Sequence, residues 1–505
     1  MKFKIIFGRI LPLAIIILGE LLVYYSLFKW LTSMFIWIEF VLRILSIFIV
    51  LNIIRTSRHI SSDLMWIVII MLFPMFGTIV YIFAGANLIT GKTFYSIIKE
   101  EAKAKEYYKQ DKEILDEVKT QNPNFTSELA FISNEGYPIY KNTDFSFYSP
   151  CEDGWKAMLE EMEKAEKYIF MEYFIIEEGT MWNAVLAILE KKVKQGVECR
   201  VMYDDMGSLN TLPSSYTKQL EKKGIKAISF NRVSPIVNTI MNHRDHRKIM
   251  VIDGKVAFSG GANLADEYIN VKRIHGHWLD NIIRIKGEAV WSYLVMFLTN
   301  WNALRHEDIS YTQYKYTFQN CKNKDGYIIP YADTPFDQEL TGQSVYEDIL
   351  NSANEYVYIM TPYLIIDSEM INTLIHTAKK GVDVRIIMPG IADKQIVHDI
   401  GTSYYAQLIE GGVKIYEYEP GFVHSKVFIS DNKYATVGTI NLDYRSLYLH
   451  FENGTLLYNA STIKDIYQNY VETLEKCKEI TIKDTHMHFI KGFIISVIRI
   501  FAPML

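Results

Sequence analysis

The chain opens on three apolar runs, from about Ile10 to Phe28, from Met34 to Ile54 and from Leu64 to Ala84. Each approaches the roughly 20 residues that an α-helix needs to cross the hydrocarbon core of a bilayer. A cleaved leader has a single, shorter apolar core, so the pattern predicts a transmembrane unit over residues 1–90, with two to three spanning helices. Glu20 interrupts the first run, while Glu39 and Arg43 stand four apart in the second, where they can pair along one helix face. Pro74 and Gly77 predict a kink or a re-entrant segment in the third. Lys2, Lys4 and Arg9 before the first run, with Arg55 and Arg58 after the second, favour the cytoplasmic side for both flanks. The remaining chain then lies outside if the third run crosses and inside if it re-enters.

From residue 91 to about 134 the pattern turns polar, with Lys and Glu mixed at helical spacing, which predicts a solvated connecting helix. The rest of the chain repeats itself. The stretch from Ala165 through Glu172 to Ile176 resembles the stretch from Ala353 through Met360 to Ile366, each reading as a helix end followed by a buried strand. Lys194-Gln-Gly-Val-Glu-Cys-Arg-Val-Met202 matches Lys380-Gly-Val-Asp-Val-Arg-Ile-Ile-Met388. Both read as helix, glycine cap and β-strand, the mark of alternating α/β structure. The expectation is two α/β sandwich lobes related by a pseudo-twofold axis, over 135–325 and 326–486, and an apolar helix over 487–505. That last helix either packs in a core or lies in the plane of a bilayer surface.

A third matched pair carries polar residues that a core strand has no reason to hold. His246-x-Lys248 leads to Asp253 and then to Gly260-Gly261-Ala-Asn263; His424-x-Lys426 leads to Asp431 and then to Gly438-Thr439-Ile-Asn441. Both segments, 246–253 and 424–431, follow HxKxxxxD, a hairpin turn, and a strand ending in G-[GT]-x-N. One such match in a chain of this length is an accident of order one in thirty at average residue frequencies. Two matches at equivalent points of a repeat are not.

Residues two apart on a strand share a face, so His246 emerges with Lys248 and His424 with Lys426. Packed about a twofold axis, the halves gather two imidazoles and two ammonium groups, with Asn263 and Asn441 placed to add hydrogen-bond donors. That inventory suits a phosphodiester. One imidazole attacks phosphorus, giving a phosphohistidine, and the other protonates the departing alkoxide. The lysines and asparagines neutralise the non-bridging oxygens. No metal and no cofactor are required, because the lysines supply the positive charge.

Charge narrows the substrate. A formal net charge of −5, with no basic or aromatic stripe, argues against a nucleic-acid partner. The 34 Tyr and 27 Phe fit a protein that touches lipid. Cys151, Cys199, Cys321 and Cys477 are scattered without metal-ligand spacing and read as ordinary thiols.

The duplicated motif resembles the HKD signature of the phospholipase D superfamily, over roughly residues 135–460. Within it the flanking text is similar to bacterial cardiolipin synthases: Met171-Glu172-Tyr173-Phe174, Tyr203-Asp204-Asp205-Met-Gly207-Ser208, His277-Trp278-Leu-Asp280 and Val437-Gly438-Thr439-Ile-Asn441-Leu-Asp443-Tyr-Arg445-Ser446. The resemblance implies a multi-pass enzyme of a bacterial cell membrane, acting on phosphatidylglycerol and needing no metal. It implies transfer of a phosphatidyl group from one phosphatidylglycerol to another, giving cardiolipin and glycerol. Hydrolysis by water and transfer to another alcohol stay open. His246, Lys248, Asp253, His424, Lys426 and Asp431 make up the catalytic set, with Asp253 and Asp431 implied as structural members of the hairpin turns. A downstream carboxylate is implied to orient each histidine, Asp280 for His246 and Glu452 for His424. By analogy His246 is the nucleophile and His424 the acid/base. His450 stands where the family commonly has Asn. His243, His275 and His277 read as loop residues near an anionic site.

Overall fold

The computed structural model describes residues 18–26, 34–56, 60–82, 92–121, 127–233, 242–318, 325–337 and 339–502. The chain divides into two compact units, residues 1–90 with 235–240 and 496–505, and residues 91–234 with 241–495.

The smaller unit is helical, with helices Met34–Thr56, Ile60–Leu72 and Pro74–Val80 around a small core of Ile53, Met65, Trp66 and Ile70. The kink expected in the third run is present: one helix ends at Leu72 and the next begins at Pro74, which lacks the N–H an uninterrupted helix needs. The Glu39–Arg43 pair also forms, at 2.7 Å. Among the described residues, however, no helix is long and apolar enough to cross a membrane, so the two to three expected spans are not found there. Glu39, Arg43 and Arg55 leave only residues 44–54 uncharged in the second run, about 17 Å of helix against a hydrocarbon core of about 30 Å. The break at Pro74 cuts the third run in the same way. Most of the first run, with Lys2, Lys4, Arg9 and Arg58, lies outside the described residues, as does Cys321.

The larger unit holds the repeat. Its first lobe supplies β1 (Thr143–Tyr148), β2 (Tyr168–Tyr173), β3 (Glu198–Asp204), β4 (Lys226–Phe230), β5 (Ile249–Ile252), β6 (Val256–Gly260), β7 (His277–Leu279) and β8 (Ile282–Gly287). The second supplies β9 (Tyr327–Asp333), β10 (Tyr356–Met360), β11 (Leu364–Ile365), β12 (Asp383–Pro389), β13 (Lys414–Tyr418), β14 (Gly421–Val423), β15 (Val427–Ser430), β16 (Tyr434–Gly438), β17 (Leu442–Asp443), β18 (Glu452–Tyr458) and β19 (Cys477–Ile480). The main sheets run β1-β8-β6-β5-β2-β3-β4 and β9-β18-β16-β15-β10-β12-β13-β19, the same order strand for strand apart from the added edge β19.

The matched sequence segments explain this order. Every residue of β2 and of β10 is buried, as a strand covered on both faces requires. Each is followed by a helix, Thr180–Lys194 or Ser368–Lys379, closed by a glycine in the left-handed region, Gly196 or Gly381. The chain then returns as a parallel partner, β3 or β12. The motif hairpins β5–β6 and β15–β16 pair antiparallel on the other side.

Asp253 and Asp431 close these hairpins at φ +53°. The Asp253 carboxylate accepts the backbone N–H groups of Glu166, Lys167 and Tyr168 at 2.8–2.9 Å, and Asp431 those of Asn354, Glu355 and Tyr356 at 2.8–3.0 Å. They anchor the starts of β2 and β10, a strand length away from the histidines. The motif aspartates therefore leave the catalytic set and keep only their structural role. Asp253→Ala strands one buried donor, the Tyr168 N–H, at about 1–3 kcal/mol, and leaves the N–H groups of the exposed Glu166 and Lys167 to water. We expect it to lower unfolding free energy by about 1–3 kcal/mol in denaturant titration, and the more exposed Asp431→Ala to cost less.

The polar stretch after residue 91 is not a solvated connector. It forms helices Lys92–Ala104, Lys112–Gln121 and Ser127–Asn134. Phe94, Ile97, Ala104, Ile114 and Val118 are buried, and the first helix packs on helix Val290–Arg305. Phe94 and Ile97 are a narrow i, i+3 stripe masked in the sequence by surrounding Lys and Glu. The expected C-terminal helix is present as Phe489–Arg499; Ile495 is buried while Phe489, Ile490, Phe493 and Ile494 are exposed.

Candidate active site

Both motif histidines lie three residues ahead of a buried strand, His246 before β5 and His424 before β15. The backbone there does not pair within its own lobe. β14, leading to His424, runs parallel to β7, which leads to Asp280, and the His424 N–H donates to the Leu279 carbonyl at 2.7 Å. The reciprocal contact joins Asp245 to Phe451: the His246 N–H donates to the Phe451 carbonyl at 2.9 Å, and the Phe451 N–H to the Arg244 carbonyl at 2.8 Å. Each histidine segment thus lies along the carboxylate segment of the opposite lobe, the reciprocity expected of a twofold relation.

The carboxylates follow the backbone across. His246 Nδ1 meets both Glu452 oxygens, at 2.9 and 3.0 Å, and His424 Nδ1 meets Asp280 Oδ2 at 2.6 Å. The implied pairing is therefore exchanged: Glu452 orients His246, and Asp280 orients His424. Both histidines are 6% exposed and both carboxylates fully buried. With Nδ1–H given to a carboxylate, each ring keeps its Nε2 lone pair for substrate.

Lys248 Nζ donates to the His246 carbonyl at 2.6 Å, and Lys426 likewise to the His424 carbonyl. Lys426 Nζ also lies 2.7 Å from His424 Nδ1. With the Nδ1–H given to Asp280, that nitrogen has no lone pair for the ammonium to bond, so this contact is a charge pressed against the ring. Burial followed by Lys248, Lys426 and His424 holds His246 well below the usual imidazole range. Burial and Lys426 bring His424 to about 4, against the opposing pull of Asp280. Burial would raise Asp280, but His424 and Lys426 outweigh it and hold it below the usual carboxylate range. Burial pulls Lys248 down to about 7 and Lys426 to about 8. Charges from both lobes thus act on one another, so the two halves form one site.

Asn263 and Asn441 are partly committed inside their own lobes. Asn263 accepts the Ile175 N–H at 3.0 Å and donates to the Tyr268 hydroxyl at 2.7 Å; Asn441 donates to Asp443 at 2.9 Å. One amide hydrogen of each remains for a phosphate oxygen. His243 bonds the Leu449 carbonyl, His277 contacts the Tyr418 hydroxyl, and His275 lies against Trp278 and Phe422, so none joins the two histidine–carboxylate pairs.

Several supporting residues had no role assigned from the sequence. The Thr439 hydroxyl donates to Glu452, while at the matching position a Cβ on Gly261 would strike the Asp280 carboxylate. The G-[GT] alternation was the signal: each residue is fitted to a carboxylate of different length. Arg247 bonds Glu172 at 2.8 Å and Asp245 at 3.1 Å in a buried network that Asn300 joins. Ser425 replaces Arg247 in the second motif, so this ionic brace exists behind one histidine only.

Residues 158–294 and 346–477 match the family described as "Cardiolipin synthase, PLD-like domain", and residues 44–85 match "Phospholipase D-nuclease N-terminal". An uncharacterized protein of Streptococcus mutans is 44% identical over 90% of this chain and 99% of its own. The cardiolipin synthase of Alkalihalophilus pseudofirmus is 31% identical over 91% of this chain and 92% of its own. Cardiolipin synthase 2 of Bacillus anthracis is 32% identical over 89% of this chain and 88% of its own. In fold, the chain is similar to the crystal structure of phosphatidylserine synthase from Haemophilus influenzae, with a TM-score of 0.56 at 13% identity, covering 74% of this chain and 99% of that one.

Proposed function

The chain belongs to the PLD-like cardiolipin synthase family, and from that premise we propose that it transfers a phosphatidyl group from one phosphatidylglycerol to another, releasing glycerol and giving cardiolipin. The observation that carries this reading is the pair of buried, exchanged histidine–carboxylate contacts. His246 Nε2 attacks phosphorus, and the bond from phosphorus to the head-group glycerol oxygen breaks. His424 gives that oxygen its proton. The hydroxyl of a second phosphatidylglycerol then loses its proton to His424 and attacks phosphorus, and the P–N bond to His246 breaks. Burial and the neighbouring lysine charges hold both rings neutral, which suits His246 as the nucleophile and leaves His424 to carry the proton. Lys248, Lys426 and the spare amide hydrogens of Asn263 and Asn441 neutralise the non-bridging oxygens. Burial of both rings supports a lipid acceptor over water.

Two apolar surfaces support action at a bilayer. Phe40, Val41, Ile44, Ile47, Phe48 and Leu51 are exposed on helix Met34–Thr56. Phe489, Ile490, Phe493, Ile494 and Val497 form an exposed stripe on helix Phe489–Arg499, the pattern of a helix lying in a lipid surface.

The test is product analysis on the purified, detergent-solubilised chain given phosphatidylglycerol alone. Cardiolipin with equimolar glycerol is expected; phosphatidic acid as the sole lipid product refutes transfer to a lipid.

The reaction should also weaken with alkali. Burial holds Lys426 down to about 8, against the opposing pull of Asp280, Glu452, Asp443 and Cys151 and beside His424. Below that pH it is charged and attracts a phosphodiester; above it the attraction fades. The anionic substrate also favours imidazolium at His424, so binding takes up a proton and weakens as pH rises. We expect kcat/KM to fall as pH passes 8, and Lys426→Arg to move that limb upward. A profile flat to pH 9.5, or a limb unmoved in Lys426→Arg, contradicts this account.

A further inference from the structure

One imidazole at the site belongs to neither pair. His450 is 8% exposed, its ring 5.5 Å from that of His246 between centroids and 6.4 Å from that of Phe174. Neither ring nitrogen has a hydrogen-bond partner. Leaving a buried polar group unsatisfied is costly, so two bare nitrogens beside the reacting histidine call for a ligand. At the matching place in the other half the unpartnered nitrogen is an indole N–H, that of Trp278, which donates a hydrogen bond but offers a metal no lone pair. Trp278 precedes Asp280 by two residues as His450 precedes Glu452, and its ring lies 5.4 Å from that of His424. An indole covers one catalytic histidine, and an imidazole covers the other.

His246, His450 and Glu452 each present one donor atom, all within 4.8 Å of one another, the sole such trio among the described residues. His246 Nδ1 lies 2.9 Å from Glu452 Oε1, and His450 Nδ1 lies 3.7 Å from the same oxygen. Tetrahedral zinc with bonds of about 2.1 Å needs donors about 3.4 Å apart, a spacing these two distances bracket. Two histidines and one carboxylate are also a donor set that zinc takes with a fourth position left open.

We propose that His246, His450 and Glu452 form a binding site for a zinc-like divalent ion, and that occupancy switches the enzyme off. The inhibitory part rests on the reading of His246 as nucleophile. In the working site the neutral ring carries its proton on Nδ1, toward Glu452, and its lone pair on Nε2. A metal bound at Nδ1 takes the place of that proton, which moves to Nε2. The ring stays neutral and no proton is released overall, but the lone pair that attacks phosphorus is gone. Glu452 moves from the imidazole N–H to the ion. Magnesium, which prefers oxygen donors in octahedral array, is a poor fit.

The test uses the full chain, purified in detergent without a polyhistidine tag and titrated with zinc against a chromophoric chelator. One tightly held zinc per chain is expected, weakened at least about tenfold in His450→Asn and His450→Gln, since even outer-shell changes cost that much. Cardiolipin formation should fall as zinc is added to the native chain. The His450 variants, each normalised to its own zinc-free rate, should need at least about tenfold more zinc for the same loss. Zinc bound equally well by the variants, or not bound at all, overturns the site. Zinc bound through His450 without loss of turnover overturns the switch. If neither variant folds, zinc K-edge absorption on the native chain decides: two imidazole donors are required, and fewer refute the site. Binding is read without turnover, so a chain that holds zinc through His450 but makes no cardiolipin refutes the proposed reaction and leaves the site standing.

Discussion

His246→Ala should lower cardiolipin formation at least about 10⁴-fold, because losing a nucleophile removes the covalent route. His424→Ala should cost about 10²–10⁴-fold, the usual worth of a general acid–base. The two variants can be told apart by a phosphatidyl ester of p-nitrophenol, whose leaving group departs without a proton. Given that substrate, His424→Ala should release one equivalent of nitrophenolate per chain in a burst and then stall, holding the phosphatidyl group on His246. His246→Ala should give no burst. The reverse pattern would exchange the two roles and leave the crossed architecture untouched.

The second large effect concerns the carboxylates. Glu452→Gln and Asp280→Asn keep the side-chain size but offer an amide in place of a charge, which turns or mis-protonates the imidazole. A triad aspartate replaced by asparagine loses about 10⁴-fold, so we expect losses of about 10²–10⁴-fold here. The decisive part is which histidine each carboxylate belongs to. Glu452→Gln should abolish the nitrophenolate burst, as His246→Ala does, although the two residues are 206 positions apart in different lobes. Asp280→Asn should retain the burst and slow turnover, like His424→Ala. In double variants, Glu452→Gln should add little to His246→Ala and should multiply with His424→Ala. Coupling of Glu452 to His424 instead would restore the same-lobe pairing.

That pairing marks the limit of what the sequence discloses. The two HxKxxxxD motifs, the two matched helix–glycine–strand segments and the α/β alternation were all legible, because strand periodicity and turn chemistry are local. Asp253 and Asp431 were legible as turn residues for the same reason. Which lobe supplies the partner of His246 was not. In a repeat, Asp280 and Glu452 occupy equivalent positions, and only the docking of β14 on β7 decides between them. The burial of Phe94 and Ile97 was hidden by charged neighbours. The spans expected near the start let Glu39 and Arg43 pair within the second run, yet the uncharged stretch that remains is too short to cross. The emptiness around His450 lies in three dimensions alone.

The exchange of partners also bears on how the enzyme comes into being. A ribosome releases His246 some two hundred residues before Glu452, and for all of that time the nascent chain carries a phosphate-seeking imidazole with no carboxylate to aim it. Asp280 likewise emerges long before His424. Activity therefore arrives at one moment, when the second half closes on the first. A truncated message or a cut between the halves separates each histidine from the carboxylate that aims it.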